Sequence, residues 1–306
     1  MKSCEHELAP IALFLYNRPI HARQTIDALK NNKLAAQSDL YVFCDGPKSG
    51  SEAKVQEVRD IANSIVGFKS VTVYLREVNA GLADSIIEGV TSLSEIYGRV
   101  IVLEDDLITS EDFLTFMNNA LNTYKHDHAV FHVSGATYPV LSDGFESSYF
   151  LSIPLCWGWA TWDRSWQYFK RDLHLNKNLK GKLKRKMDFD GMHPFSSQLD
   201  ENATGKIKTW FIYWYATLLI NRGLALFPRN SLVVNVGFDG TGANCGTEQE
   251  YISEHSKLDY DFTKRLDVME SAAAYRAHVK FFKNTRPSWA RRNYRNLRRI
   301  LQKYVR

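Results

Sequence analysis

An acidic triplet, Glu104-Asp105-Asp106, directly follows the apolar run VIVL at residues 100–103. Adjacent carboxylates at the end of a buried strand repel one another unless a cation or hydrogen-bond donors compensate for their charge. Hard oxygen ligands of this kind suit Mg²⁺ or Mn²⁺, above all where the ion bridges a diphosphate. An acid cluster that complements the dipole of the next helix explains the same residues equally well. The metal interpretation therefore depends on the position of the triplet at the end of a strand, and not on its three residue types alone.

Two other apolar runs also lead into polar residues that suit a binding site. Residues 11–16 are followed by Arg18, and residues 40–44 are followed by Asp45. Alone, Arg18 fits a surface salt bridge and Asp45 fits an ordinary turn. Joined at one edge of a sheet with the acidic triplet, they favour a ligand site.

The elements that must position these residues alternate along the first half of the chain. Strand-like runs at residues 71–75 and 100–103 follow the two above, and helical patterns occupy residues 51–66 and 82–97. This alternation predicts an α/β fold with a mostly parallel central sheet and helices on both faces. Ser110 is predicted to cap the next helix. Ligands of such sheets bind at the carboxyl ends of the strands.

Composition and length are those of a globular chain that can bury a sizeable core. The sequence has 306 residues, of which 44% are hydrophobic and 24% charged. The longest apolar run, residues 210–220, is too short for a membrane span, and the amino terminus does not resemble a signal peptide. The four cysteines show no metal or disulfide spacing. We therefore expect a cytoplasmic protein.

The order of these motifs resembles the GT-A fold glycosyltransferases of the family 2 type. Within that class, the nearest likeness is to bacterial sugar transferases akin to N-acetylglucosaminyltransferase I, and it covers roughly residues 9–250. It implies a catalytic domain over residues 1–270, with a nucleotide-binding half at about 9–125 and an acceptor half at about 126–270. The likeness rests on the following segments: Tyr16-Asn17-Arg18-Pro19, Asp45, Arg76-x-x-Asn79-x-Gly81-Leu82 and Val102-Leu103-Glu104-Asp105-Asp106.

The resemblance implies a role for each matching residue of the nucleotide site. Arg18 and Asp45 would contact the nucleotide, and Asp105 would lie near the ribose. Asp106 would be the ligand of Mn²⁺ or Mg²⁺, with Glu104 beside it. Such an ion neutralises the leaving diphosphate as the glycosidic bond breaks, a contribution of several kcal/mol.

Other matching residues concern the sugar side of the site. Asn79, Gly81 and Leu82 would shape the side that holds the sugar diphosphate. Trp159 would lie beside the donor sugar and acceptor, although a core cluster explains this tryptophan equally well. Asp239 would orient a loop over the diphosphate, or would simply form a turn with the following glycine.

The general base is the point at which the chain departs from its relatives. They usually place an aspartate beside the tryptophan that here is Trp210, and Phe211 follows it in this chain. A general base contributes about 10² to 10⁴ in rate. Asp200 and Glu201 are the candidate substitutes.

The last part of the chain is a basic tail. Residues 271–306 contain eleven Lys or Arg and no acid, and residues 290–304 carry an apolar stripe at helical spacing. A basic amphipathic helix over residues 276–306 suits an anionic membrane surface, such as the inner face of the membrane. Docking onto the acidic body, a dimer contact and RNA binding are the alternatives, and nucleic acid is not expected because no recognition fold accompanies the charge.

These expectations combine into one function. The chain is predicted to be a metal-dependent, inverting glycosyltransferase that moves a sugar from a UDP-sugar to a glycan or lipid-linked acceptor in surface polysaccharide synthesis. The alternatives are a sugar-phosphate nucleotidyltransferase and a catalytically weakened glycan-binding or membrane-binding scaffold.

Overall fold

Four parallel strands and three helices form the first half of the structure, a computed structural model that describes residues 8–140, 144–240 and 265–285. All five residues of the first strand are buried, because helices cover both faces of the sheet there. The elements are β1 (Ile11–Leu15), α1 (Pro19–Lys30), β2 (Asp39–Cys44), α2 (Glu52–Asn63), β3 (Ser70–Leu75), α3 (Leu82–Tyr97) and β4 (Arg99–Glu104).

The order of these strands creates a crevice between β1 and β4. Their order in the sheet is β3-β2-β1-β4, with parallel pairing throughout. The connections run from β1 outward to β3 and then return across β1 to β4. Right-handed crossovers therefore place α1 and α2 on one face of the sheet and α3 on the other. Loops diverge where the strand order reverses, so a ligand crevice is expected at the carboxyl ends of β1 and β4.

The second half of the chain extends the same sheet with mixed pairing. The full order is β3-β2-β1-β4-β8-β6-β9-β7, and β5 and β10 form a separate antiparallel pair. The pair β6–β9 is parallel, whereas β8 runs antiparallel to both of its neighbours. The elements are β5 (Leu107–Thr109), α4 (Phe113–Thr123), β6 (Val130–Ser134), β7 (Ser148–Leu151), β8 (Trp159–Trp162), α5 (Asp163–Trp166), α6 (Lys182–Met187), α7 (Ser197–Ala203), α8 (Phe211–Ile220), β9 (Leu224–Pro228), β10 (Val233–Asn235) and α9 (Ala272–Thr285), with short 3₁₀ helices at Ala35–Gln37, Leu175–Lys177 and Phe189–Gly191.

The predicted fold class is confirmed, and one predicted cap is wrong. The structure has a mostly parallel central sheet with helices on both faces, as the alternation of patterns predicts. The helix expected after Ser110 begins only at Phe113, and Asp112 occupies the position before it. Within the described chain the Ser110 hydroxyl has no hydrogen-bond partner. Ser110 instead donates its amide to the loop before β10.

A buried aromatic cluster joins β6, β8 and α8. Trp214 donates from its indole nitrogen to Nδ1 of His132 at 3.1 Å, and His132 stacks on Trp159 with ring centroids 5.2 Å apart. Burial lowers the pKa of His132 to about 3, so its ring is neutral and donates from Nε2. Because Trp159 is fully buried in this cluster, its position supports the core alternative and not the contact with the donor sugar.

Helix α9, the part of the basic tail that the structure describes, packs against the body. Phe282 is 1% exposed, and its ring centroid lies 4.4 Å from that of Phe189 and 4.9 Å from that of Tyr138. His278 is buried beside them, and burial lowers its pKa to about 4. The predicted amphipathic stripe at residues 290–304 lies outside the described residues. Among the described helices, none is long and apolar enough to cross a lipid bilayer.

Replacing Phe282 with alanine tests whether α9 belongs to the core of the body. We expect Phe282→Ala to lower the free energy of unfolding by about 3 to 5 kcal/mol, because it leaves a cavity among packed rings. Exposed Lys283 on the same helix is the control, and Lys283→Ala should change that free energy by less than about 0.5 kcal/mol. Urea denaturation measures both values. Equal, small effects would show that α9 is not part of the cooperative core.

Candidate functional site

Arg18 crosses the crevice between β1 and β4 and pairs with two of the three acids. Its Nη2 contacts the Asp105 carboxylate and donates to Oδ2 of Asp106 at 2.8 Å, while its Nε donates to Asp105 at 3.2 Å. Both aspartates are 6% exposed. Burial lowers the pKa of Arg18, but the charges of both aspartates and their hydrogen bonds outweigh that effect and raise it. The sequence-predicted residues Arg18, Asp105 and Asp106 are therefore brought together.

Backbone and helix contacts hold the acidic loop in place. The buried hydroxyl of Thr25 on α1 donates to the carbonyl of Asp105 at 2.8 Å and accepts from the amide of Leu107 at 3.2 Å. The amide of Val236, just after β10, donates to the carbonyl of Asp106 at 2.9 Å. The loop is thus fixed from α1 on one side and from β10 on the other.

Gly237 touches the carboxylate of Asp106 directly. A Cβ atom at position 237 would lie 2.1 Å from Oδ2 of Asp106, far inside van der Waals contact. The amide of Gly237 donates to Oδ1 of Asn235 at 2.8 Å, which holds this backbone in position. Position 237 therefore accepts only glycine while Asp106 keeps its place.

Glu104, the first residue of the triplet, is the most strongly perturbed acid of the site. Burial, and then the charges of Asp106 and Asp105, raise the pKa of the Glu104 carboxyl to about 8, despite the opposing effect of Arg18. Burial also raises the pKa of Asp105, and Arg18 opposes that shift. One guanidinium therefore does not fully compensate three neighbouring carboxyl groups.

Asp45 organises the loop before α3 with its own hydrogen bonds. Its Oδ1 accepts from the amides of Gly46 at 2.8 Å and Ala80 at 2.9 Å, and its Oδ2 accepts from the Asn79 side chain at 2.9 Å and the amide of Gly81 at 2.8 Å. Each oxygen thus accepts two hydrogen bonds from the protein. Asp45 and Asn79, two of the sequence-predicted site residues, are in contact, and the geometry makes Asp45 a positioning residue for this loop.

Two glycines allow the loops after β2 and β3 to meet. A Cβ atom at Gly46 would lie 2.4 Å from the carbonyl carbon of Val78, so only glycine permits this approach. Gly81 precedes α3 with φ of 83°, which a residue with a side chain adopts at a cost. Leu82 follows as the first residue of α3 and is 37% exposed.

Asp239, near the end of the second described segment, pairs with α1. Its carboxylate lies 3.1 Å from Nε2 of His21, three residues after Arg18. This contact joins the chain that follows β10 to the crevice. Residues 238–240 form a turn in which Gly240 has φ of 85°, so Asp239 lies in the turn with Gly240 that is one of its two predicted alternatives. The other alternative, a loop over the diphosphate, stays a prediction.

The two candidate bases are not joined to this site by a described contact. Asp200 and Glu201 lie in α7, which packs against α8 and the 3₁₀ helix at Leu175–Lys177. Asp200 is exposed, and Glu201 pairs with Lys206. The half-buried Trp157, in contrast, reaches toward the segment after β10, with its ring 5.5 Å from that of Phe238.

The donor atoms of the site fit a divalent cation that also binds phosphate. Within the described residues, no group of three or more His, Cys, Asp or Glu forms a complete metal cage. Mg²⁺-type ions, however, commonly take only one or two carboxylates, and water and phosphate complete their coordination. Oδ1 of Asp106 and the carboxyl of Glu104 have no hydrogen-bond partner among the described residues, so their oxygens suit such an ion.

The same crevice holds a donor that suits an anion. Nη1 of Arg18 is buried and has no hydrogen-bond partner in the described part of the chain. An unpaired buried donor costs free energy, and a ligand oxygen would recover it. The Asp106 carboxylate, which suits a cation, and the Arg18 guanidinium, which suits an anion, therefore lie side by side at this edge of the sheet.

Several residues of the site are not predicted from the sequence. Thr25 occupies a buried position on the apolar face of α1, and a polar residue on such a face is a signal for a buried hydrogen bond. His21 and Gly237 act through contacts with Asp239 and Asp106, which lie in distant segments, and no local pattern reveals such contacts.

Comparisons with known proteins find low-identity likeness to solved structures. No family model and no curated protein matches the chain. A mannosyltransferase from Pyrobaculum calidifontis, in complex with GDP-Man and Mn²⁺, shares 10% identity over 70% of this chain and 76% of its own, with a TM-score of 0.34. GalNAc-T7, with UDP, GalNAc and Mn²⁺, shares 10% identity over 74% of this chain and 43% of its own, with a TM-score of 0.41.

A third structure belongs to the alternative enzyme class. A putative glucose-1-phosphate thymidylyltransferase from Bacillus anthracis shares 11% identity over 75% of this chain and 90% of its own, with a TM-score of 0.41. Identity and TM-score are low in all three cases, so any function must be argued from this chain's own residues.

Replacing Gly237 with alanine tests the contact with Asp106. We expect Gly237→Ala to displace the Asp106 carboxylate and to weaken Mn²⁺-dependent UDP binding about tenfold or more, because the added methyl overlaps Oδ2. Calorimetric titration of UDP with and without Mn²⁺ measures the effect. The affinity for UDP in the absence of Mn²⁺ should be unchanged in Gly237→Ala. A loss of that metal-independent affinity would show that Gly237 acts on another group.

Proposed function

We propose that the chain is a metal-dependent glycosyltransferase of GT-A type that uses a UDP-sugar as donor. The observation that carries the proposal is the meeting of Arg18 with Asp105 and Asp106 at the point where the strand order reverses. That crevice is where α/β sheets bind their ligands. The resemblance of the motifs in their order along the chain supports the same class.

Each residue of the crevice has a proposed role. Asp106 holds Mn²⁺ or Mg²⁺, which neutralises charge on the leaving diphosphate. Nη1 of Arg18 donates to the nucleotide, and Asp105 keeps the guanidinium oriented and lies near the ribose. Glu104 lies beside the ion, whose charge would favour its ionised form.

The loop that Asp45 organises is proposed to face the sugar diphosphate. Its hydrogen bonds to Asn79, Ala80 and Gly81 fix the backbone at the start of α3. A preorganised loop binds its ligand without a further cost in chain entropy. The reaction proposed is direct displacement at the anomeric carbon with inversion, onto a hydroxyl of a glycan or lipid-linked acceptor in surface polysaccharide synthesis.

Replacing Asp106 tests the function and the metal role together. We expect Asp106→Ala to abolish Mn²⁺-dependent UDP binding and to reduce UDP release from a panel of UDP-sugars by about 10³-fold or more, because the ion loses its protein ligand. Thermal unfolding of the variant serves as the check on folding. Mn²⁺-dependent affinity that survives in Asp106→Ala would refute the assignment.

Alanine variants of Asp200 and Glu201 test whether either residue is the general base. Replacing the base of this reaction would lower turnover by about 10² to 10⁴ without changing UDP affinity. Turnover that persists in both alanine variants removes these two residues from the mechanism. Release of pyrophosphate from a nucleoside triphosphate and a sugar 1-phosphate, without release of UDP from UDP-sugars, would identify the nucleotidyltransferase. UDP binding without any turnover would identify the scaffold.

The basic tail is proposed to bind an anionic membrane surface at the inner face of the membrane. Arg276, Lys280 and Lys283 are exposed on α9, at spacings that place them along one side of the helix. Their opposite side, which includes Phe282, packs on the body. A cationic stripe on a helix anchored in this way is open to solvent and to anionic lipid.

A truncation after Thr285 tests this proposal without removing α9 from the core. We expect the shortened chain to pellet less with vesicles that contain anionic lipid, because residues 286–306 carry eight of the eleven basic residues of the tail. Vesicles of neutral lipid are the control. Equal pelleting of the full and truncated chains would rule out the membrane role of these residues.

A further inference from the structure

Three charged side chains outside the roles proposed above meet at the start of α3. The carboxylate of Asp84 accepts from Nη1 of Arg171 at 2.7 Å and from Nζ of Lys208 at 2.7 Å. We call Asp84, Arg171 and Lys208 the Asp84 cluster. Arg171 follows α5 and Lys208 precedes α8, so the cluster joins two distant segments to the first turn of α3.

The cluster has more positive than negative charge. Two cations share one carboxylate, and each cation uses one of its N–H groups on Asp84. Their remaining donors are available, since 30% of the Arg171 side chain and 56% of the Lys208 side chain are exposed. The amino terminus of α3, a helix of 16 residues, adds the positive end of its dipole at the same place.

One buried hydroxyl near the cluster has no hydrogen-bond partner in the described part of the chain. It belongs to Tyr213, which is 0% exposed. Burial raises the pKa of Tyr213, and the nearby Arg171 opposes that rise. Buried hydroxyls without partners are rare because each one costs free energy.

We infer that the Asp84 cluster is an anion subsite that takes a phosphate-class group. Arg171 and Lys208 would donate charge-assisted hydrogen bonds to the anion, and the Tyr213 hydroxyl would gain the partner that it lacks. Asp84 holds the two cations at the start of α3 while competing with the anion for them. It is therefore a positioning residue for the subsite.

The subsite adjoins the site already described. Asp84 lies three residues after Gly81, whose amide donates to Asp45. A phosphate-class group reaches this place either as the diphosphate of the donor or as an anionic group of the acceptor. That choice rests on the proposed function, whereas the existence of the anion subsite does not.

The subsite is tested by titrating the full chain with inorganic pyrophosphate in the absence of divalent metal and at low salt. We expect Lys208→Ala and Arg171→Ala each to weaken pyrophosphate binding by roughly tenfold, because each removes a charge-assisted contact. Lys206→Ala is the matched control. Lys206 is 60% exposed and also has one acidic partner, Glu201, and its loss should change the affinity by less than about twofold.

Asp84→Asn distinguishes an anion subsite from a cluster of ion pairs that only stabilises the fold. If Asp84 competes with the anion, its neutralisation should tighten pyrophosphate binding, and Arg171→Lys, which keeps the charge, should retain most of the affinity. Weaker binding in Asp84→Asn would overturn the proposal. Unchanged pyrophosphate affinity in Lys208→Ala and Arg171→Ala would also overturn the proposal, provided that both variants unfold at the same temperature as the parent protein.

Titrations with UDP and uridine identify the source of the anion. Weaker UDP binding with unchanged uridine binding in Lys208→Ala assigns the subsite to the donor diphosphate. Weaker pyrophosphate binding with unchanged UDP binding assigns it to an anionic acceptor, and both outcomes support the subsite. Since none of these measurements requires turnover or Asp106, a failure of the proposed function would leave their result intact.

Discussion

Three successive residues at the end of β4 carry carboxyl groups, and the rest of the site depends on how their charge is compensated. Arg18 pairs with Asp105 and Asp106 from across the crevice, while Glu104 is left with a pKa raised to about 8 by burial and by its neighbours. Desolvated like charges are unfavourable without counter-charge. The fold therefore concentrates its negative potential at one strand end and supplies one cation there.

That arrangement explains why so much backbone converges on the acidic loop. Thr25 fixes it from α1, and the amide of Val236 fixes it from the β10 side. A second carboxylate, Asp45, serves the neighbouring loop in a different way, because all four of its hydrogen bonds come from the protein itself. Of these acids, Asp106 has an oxygen left for a ligand, whereas Asp45 has used both oxygens to shape a binding surface.

The strands and helices of the first half were predictable because each carries a regular pattern. The run VIVL before Glu104 became β4, and the helical pattern at residues 82–97 became α3 without change. The convergence of Arg18 and Asp105 was also predictable, since the carboxyl ends of parallel strands meet at one edge. Strand β8 was not predicted as a strand, because Trp159 and its neighbours lack alternation and all four of its residues are buried. The contacts of Gly237 and of the Asp84 cluster depend on segments that lie 87 or more residues apart in the sequence, and local patterns carry no information about such contacts.

The close approach of Gly237 to Asp106 has a mechanical consequence. With van der Waals surfaces already touching, the backbone after β10 and the carboxylate of Asp106 cannot move independently toward each other. A shift of the Gly237 backbone toward Asp106 therefore displaces the Asp106 carboxylate. Conversely, a ligand that moves this carboxylate away from Gly237 leaves space into which the backbone can move. The contact between Asp239 and His21 also joins the segment after β10 to α1. The described segment from β10 to residue 240 is thus mechanically coupled to the one carboxylate on which the metal proposal depends.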